Sequence, residues 1–161
     1  MRGLSFTAGG ELYAMDVTLV QNVARRLSIT PVPSSPAEIV GIANLKGKVI
    51  TVLNLNRLLG SSAQDEAKKY VNTIVFKSGS DTENQMGLAI EKPGNLIYAD
   101  DDAIRSPPLA VDAEENHHIS GIIEIDDMFY RIIDIGSISK KFIHGSDPVS
   151  GNTSYGGNDS E

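Results

Sequence analysis

The sequence predicts an all-β protein built as two similar small barrels packed together, with short helical turns. Three observations lead there. A stretch of about twenty residues occurs twice: GIANLKGKVITVLNLNRLLG, residues 41–60, realigns without a gap on GIIEIDDMFYRIIDIGSIS, residues 121–139, at an offset of eighty. Apolar runs of strand length recur at short spacing between Gly, Pro, Asn and Asp, with no long amphipathic helix among them. Runs such as Val49-Ile50-Thr51-Val52-Leu53 are nearly continuously apolar. Such strands need cover on both faces, which two packed barrels supply and one small barrel does not.

Within the repeat, Gly41 meets Gly121, Ile42 meets Ile122 and Leu45 meets Ile125. Val52-Leu53-Asn54-Leu55 meets Ile132-Ile133-Asp134-Ile135, and Leu58 meets Ile138. Each copy reads as two strands around a tight turn. Lys46-Gly47 suits that turn because glycine takes positive φ without a Cβ penalty. Asp126-Asp127 falls on the same place and is read as a turn by that correspondence. A weaker echo lies upstream, where Phe6 and then Tyr13 to Val17 resemble Phe76 and then Met86 to Ile90. Two copies are too few for a solenoid and point to two β modules sharing a core.

Taken in order, residues 4–7 and 11–16 form a hairpin around Gly9-Gly10, residues 17–20 one helical turn, and residues 22–27 an extended segment. Pro31, Pro33 and Pro36 break regular structure, and Ser34 or Ser35 before Pro36 is expected to cap a single helical turn. The polar stretch 61–69 reads as a linker between modules, residues 70–77 and 86–90 as strands around a flexible tip at 78–85. Pro93-Gly94 should interrupt the chain before a segment at 95–99, an acidic loop covers 100–108, and a short helix is expected at 137–142. The expected organisation is one domain over residues 1–144, with a first barrel at about 15–65 and a second at about 70–135, terminal segments being open to exchange between them. Residues 145–161, rich in Gly, Ser, Asn and Asp, should form a disordered tail.

Composition narrows the function classes. The chain has 161 residues, 40% of them apolar, and no cysteine, which excludes disulfides, zinc–thiolate sites and thiol catalysis. Its N-terminus lacks the apolar core of a signal peptide and no run approaches a membrane span, so a cytoplasmic protein without direct membrane insertion is expected. The net charge of −7 is uneven: residues 1–60 hold six Lys/Arg against three acids, and the remainder eight against eighteen. That balance argues against nucleic acid, while the basic first part suits an acidic protein surface or is simply a solvated face.

No catalytic constellation emerges, and neither a cofactor nor a metal is expected. His117 and His118 are neighbours that point to opposite faces of an extended chain and chelate one ion poorly. Asp100-Asp101-Asp102 lacks the alternation, glycine and terminal glutamate of a calcium loop. Lys46-Gly47-Lys48 lacks the rest of a phosphate loop, and no G-x-S-x-G is present. A proline-peptide groove would be poorly furnished, since tryptophan is absent and aromatics make up 6% of the chain. An apolar groove between two modules, rimmed by polar residues, fits better.

At Gly41 to Leu55 the chain closely resembles the G-V/I-x-N-L-R-G-x-V/I-x-P-V/I-V/I-D-L signature of the CheW family of bacterial chemotaxis coupling proteins. LSFTAGGELYAMDVTLVQNV, residues 4–23, is similar to the family's opening, and ITPVPSSPAEIVG, residues 29–41, to its I-T-x-V/I-P-x-x-P segment. The resemblance spans about residues 4–143. It implies two five-stranded SH3-like barrels around a shared hydrophobic core. It also implies a non-enzymatic adaptor, monomeric in isolation, that binds the regulatory domain of a CheA-type histidine kinase and the cytoplasmic tip of methyl-accepting chemoreceptors at membrane-associated arrays. A CheW-like adaptor of another sensory pathway, such as type IV pilus or developmental signalling, is the alternative.

Matched positions carry the family's roles over. The receptor-facing arginine of N-L-R-G falls on Lys46, which keeps the charge and loses the planar fork. The family's glutamate in V-x-E falls on Asn22, the signature proline on Thr51 and the aspartate on Asn54. Val20 and Val49 beside these positions complete a receptor-binding set of Val20, Asn22, Lys46 and Val49, with core packing the competing reading of each valine and the favoured one for Val49. A kinase-binding set is expected at Ile29, Val32, Ile39 and Val40.

Overall fold

The computed structural model describes residues 1–60, 68–77, 85–107 and 117–142. The expected tail at 145–161, most of the 61–69 linker and the hairpin tip at 78–84 lie outside the described residues. Among the described residues ten strands, numbered in chain order, run Arg2–Ala8 (β1), Glu11–Asp16 (β2), Val20–Ser28 (β3), Ile39–Leu45 (β4), Lys48–Asn54 (β5), Tyr70–Phe76 (β6), Gln85–Ile90 (β7), Lys92–Tyr98 (β8), Ile119–Ile125 (β9) and Met128–Ile133 (β10). A short helix follows β5 at Leu55–Leu58 (α1), and residues 135–142 are helical after β10 (α2).

The strands form two five-stranded sheets, ordered β3-β6-β7-β5-β4 and β8-β1-β2-β10-β9. Neither sheet is one continuous piece of chain. β6 and β7 belong to the first sheet, so the chain does not divide between barrels at 65–70. The second sheet is completed by β1 and β2 from the N-terminus instead. Parallel pairings make this arrangement: β5 lies beside β7 with Val52 opposite Gly87, and β10 beside β2 with Ile132 opposite Ala14. The eighty-residue repeat therefore places like residues at like positions of two equivalent sheets.

Local chemistry repeats as well. The β4–β5 turn holds Lys46 at φ 53 and Gly47 at φ 83, and the β9–β10 turn holds Asp126 at φ 51 and Asp127 at φ 63. Positive φ at both central residues is the two-residue hairpin geometry that matches strand twist. Asn44 Oδ1 accepts the Gly47 N–H at 3.1 Å. Asn54 Oδ1 accepts the Arg57 N–H at 3.2 Å to cap α1, and Asp134 Oδ1 accepts the Ser137 N–H at 3.1 Å to cap α2. At the repeated glycines a bridging segment outside the strands passes within contact. A Cβ on Gly41 would stand 2.5 Å from the Thr30 carbonyl oxygen, and one on Gly121 2.5 Å from Ile104 Cγ2.

One apolar cluster joins the sheets. Phe6, Tyr13, Met15 and Ile133 from the second sheet meet Leu53, Ile74, Phe76 and Leu88 from the first, with Leu55, Leu58 and Ile138 from the helices. A smaller cluster of Leu27, Ile29, Ala43, Ile50, Val52 and Val75 fills the first barrel. Two local expectations differ from what is found. No helical turn forms at 34–38; Ser35 Oγ donates to the Val32 carbonyl at 2.8 Å, and one Ile39 N–H to Pro36 O bond closes a turn. Pro93 does not interrupt the chain but lies within β8. That strand is at the edge of its sheet, the position where a strand tolerates proline.

Candidate functional site

The candidate surface lies at one end of the first sheet. Successive pairings put Val20 opposite Phe76, Phe76 opposite Met86 and Met86 opposite Thr51. The start of β3, with Val20 and Asn22, is therefore level with the start of β5, with Val49. The Lys46-Gly47 turn projects beyond that end. Three strand spacings separate the two flanks, about 14 Å measured along the sheet. Val20 and Asn22 thus form one pair and Lys46 and Val49 another, with β6 and β7 between them.

The four differ in what they present. Val20 is half-buried and packs against the shared core, and Asn22 is half-buried on β3. Lys46 is exposed at the turn. Val49 is 54% exposed, so core packing does not account for it. Among the residues expected to meet the kinase, Ile29 must be reassigned. It is 7% exposed inside the first barrel's cluster, and its backbone N–H donates to Lys69 O at 2.9 Å, so it supports the surface from below. Ile39 and Val40 are half-buried at the start of β4, and Val32 is exposed in the loop ahead of it.

Sequence reasoning missed the counterpart surface on the second sheet. Met128 and Phe129 are exposed at the start of β10, Phe129 at 58%. The repeat could have found them, because an offset of eighty carries Lys48 onto Met128 and Val49 onto Phe129. The two hairpins also carry opposite charge, Lys46 and Lys48 on one and Asp126 and Asp127 on the other. Both ends pair an exposed apolar side chain with charge, the composition of a protein interface rather than of a small-molecule pocket.

A polar junction links the barrels near α2. Glu38 and His118, also eighty residues apart, each accept an N–H at the end of the hairpin that follows: Glu38 O from Asn54 at 2.7 Å and His118 O from Asp134 at 2.8 Å. Lys141 Nζ lies 3.3 Å from Glu38 Oε2. A backbone hydrogen bond, with help from Lys141, holds the Glu38 carboxyl below its ordinary range. His118 is buried, with Nδ1 2.7 Å from Ser137 Oγ, and Ser137 Oγ donates to Asp134 O at 3.0 Å. With its one proton used there, the serine accepts from Nδ1–H, which sets the tautomer. Burial first, then Lys141 and His117, push the His118 pKa below 6.5. This histidine is a structural tie, and no group of three or more His, Cys, Asp or Glu among the described residues is placed to hold a metal ion.

Comparison with known proteins agrees with this architecture. The family model described as CheW-like domain matches residues 2–142. The chain is 24% identical over 134 residues to the chemotaxis protein CheW of Treponema pallidum, covering 82% of this chain and 78% of that one. It is 37% identical over 89 residues to the CheW of Thermotoga maritima, covering 55% and 56%. The crystal structure of the scaffolding protein TtCheW from Thermoanaerobacter tengcongensis superposes with a TM-score of 0.69 at 30% identity, over 82% of this chain and 87% of that one. The paired five-stranded sheets, their shared core and the matched span together place this chain in the CheW-like family.

Proposed function

We propose that this chain is a non-catalytic adaptor that couples the cytoplasmic tip of methyl-accepting chemoreceptors to the regulatory domain of a CheA-type histidine kinase. The observation that carries the reading is the family match over residues 2–142, the whole extent of the two sheets and α2. Exposed Val49 beside the exposed Lys46 turn supports receptor contact at that end of the first sheet. Val32, with Ile39 and Val40 at its side, is offered to the kinase, and Ile29 holds that loop in place. Among the described residues no helix is long and apolar enough to cross a membrane. That fits a cytoplasmic protein recruited to receptor arrays through its partners.

Such an adaptor needs no chemistry of its own. It works by holding receptor and kinase so that a shift in one changes the equilibrium of the other. The test is a titration of the purified protein against its own organism's kinase regulatory domain, followed by addition of a receptor-tip fragment. Both should bind together. Lys46→Glu should weaken the receptor tip about tenfold while leaving the kinase within about twofold, because a reversed charge acts on the surface it faces. Equal loss of both partners, or of neither, would sink the assignment of Lys46 to the receptor side.

A further inference from the structure

The far end of β3 carries a feature outside the residues assigned above to receptor and kinase. Ala24 pairs with Thr73 and Leu27 with Val71, so Arg25 and Arg26 together stand opposite Asn72 alone. Arg26 in this bulge has φ 52. That is the left-handed region, which glycine ordinarily fills in a bulge of this kind. Among the described residues it is the one non-glycine with positive φ inside a strand, the others lying in turns and loops.

Asn72 holds the strained arginine in place. Its Oδ1 accepts the Arg26 N–H at 2.9 Å, and its Nδ2 donates to Glu91 O at 2.8 Å. The guanidinium then lies 5.1 Å from the Tyr70 ring centroid, and the Lys69 ammonium lies 5.7 Å from the same centroid. Tyr70 is 45% exposed and Arg25 is exposed beside it. Two cations gathered on one solvent-facing ring repel each other, and no carboxylate of the described residues is ion-paired with either. An arginine in left-handed backbone, set with a second cation over one exposed ring and with no carboxylate of the described residues ion-paired to either, points to recognition of an anion.

We propose that Arg26, Tyr70 and Lys69 form a docking site for a short acidic segment of a partner protein. Its carboxylates would bridge the two cations while an aliphatic stem lies on the ring. Charge complementarity selects that occupant. The chain carries −7 in all, so an extended polyanion such as a membrane or a nucleic acid is repelled by most of its surface, whereas a short acidic peptide meets only this corner. Ser28 opposite Tyr70 marks this end of the sheet, and Val20 opposite Phe76 marks the other, so the site and the Lys46 surface can be filled at once.

The experiment titrates the isotope-labelled full chain with hexaglutamate, with hexalysine as control, and separately with phosphatidylglycerol vesicles. It needs neither kinase nor receptor, so its outcome is independent of the coupling role. Saturable amide shifts confined to residues 24–28 and 69–72, weakened by salt, are expected with hexaglutamate alone. Arg26→Gly relieves the backbone strain, keeps the fold and should weaken binding about threefold to tenfold; Lys69→Gln should act in the same direction. Shifts centred on Lys46 and Lys48, no saturable shift, or unchanged affinity in a folded Arg26→Gly variant would overturn the proposal. Binding to anionic vesicles without a response to hexaglutamate would overturn it too, by assigning the surface to a membrane.

Discussion

Gly41→Ala and Gly121→Ala, made separately, test whether the two halves are built alike and where they differ. At Gly41 the added methyl meets backbone: the Thr30 carbonyl oxygen at 2.5 Å and its carbon at 3.0 Å, with Ile29 Cγ2 at 2.7 Å. Relief requires the 29–30 segment to move away from β4. That opens the reciprocal Thr30–Ile42 hydrogen bonds of 2.8 and 2.9 Å. Two such bonds at about 1 kcal/mol each, with about 1 kcal/mol of overpacking, give about 3 kcal/mol. In a domain of this size that lowers Tm by about 6–12 °C.

Gly121 sits against the equivalent reciprocal pair, Arg105–Ile122, but its nearest obstacle is the side-chain carbon Ile104 Cγ2, and the Arg105 carbonyl oxygen stands at 3.1 Å. A half-buried side chain gives way more easily than backbone, so about 1–2 kcal/mol is expected. Urea unfolding followed by circular dichroism measures both. A Gly41→Ala cost below about 1 kcal/mol, or a larger cost at Gly121, would show that the bridging segments do not constrain these glycines.

Two further outcomes follow from the polar contacts. The His118 pKa is lower folded than its ordinary 6.5, so the folded state binds its proton less readily than the unfolded chain. Its contribution is therefore fully present above pH 6.5 and is lost as the pH falls from there through the folded value. The stability gap between wild type and His118→Gln should narrow over that interval in urea titrations, and a constant gap refutes the assignment. Asn54→Ala should cost about 1 kcal/mol by removing the α1 cap, while Asn54→Asp, which copies Asp134 of the second half, should restore most of it; thermal unfolding reads both.

The repeat was legible because it rests on local chemistry. The Lys46-Gly47 and Asp126-Asp127 turns, the Asn54 and Asp134 caps and the Gly41 and Gly121 contacts each leave a mark in a few neighbouring residues. Sheet membership was not legible. It depends on β7 lying parallel to β5, and β2 parallel to β10, pairings between distant segments that no local pattern announces. Burial at element ends was equally hidden. Val49 continues an apolar run yet lies just past the end of the core, whereas Ile29 sits in a proline-rich loop region and is buried because Lys69 and β4 close over it. Arg26 escaped notice because left-handed backbone in a strand is invisible when the residue is not glycine.

The interleaved sheets also govern how the chain is born. The strands of the first sheet lie within residues 20–90 and can close on one another as soon as β7 has left the ribosome. The β1–β2 hairpin, though made first, has its permanent neighbours β8 and β10 more than eighty residues away, with Leu4 opposite Leu96 and Tyr13 opposite Arg131. It must wait, with Phe6, Tyr13 and Met15 uncovered or leaning on the finished barrel. Translation that stalls before Met128 would leave an unsealed edge on β2, the kind of surface on which nascent chains aggregate. Of the described strands, β10, the last in chain order, closes the sheet that holds β1.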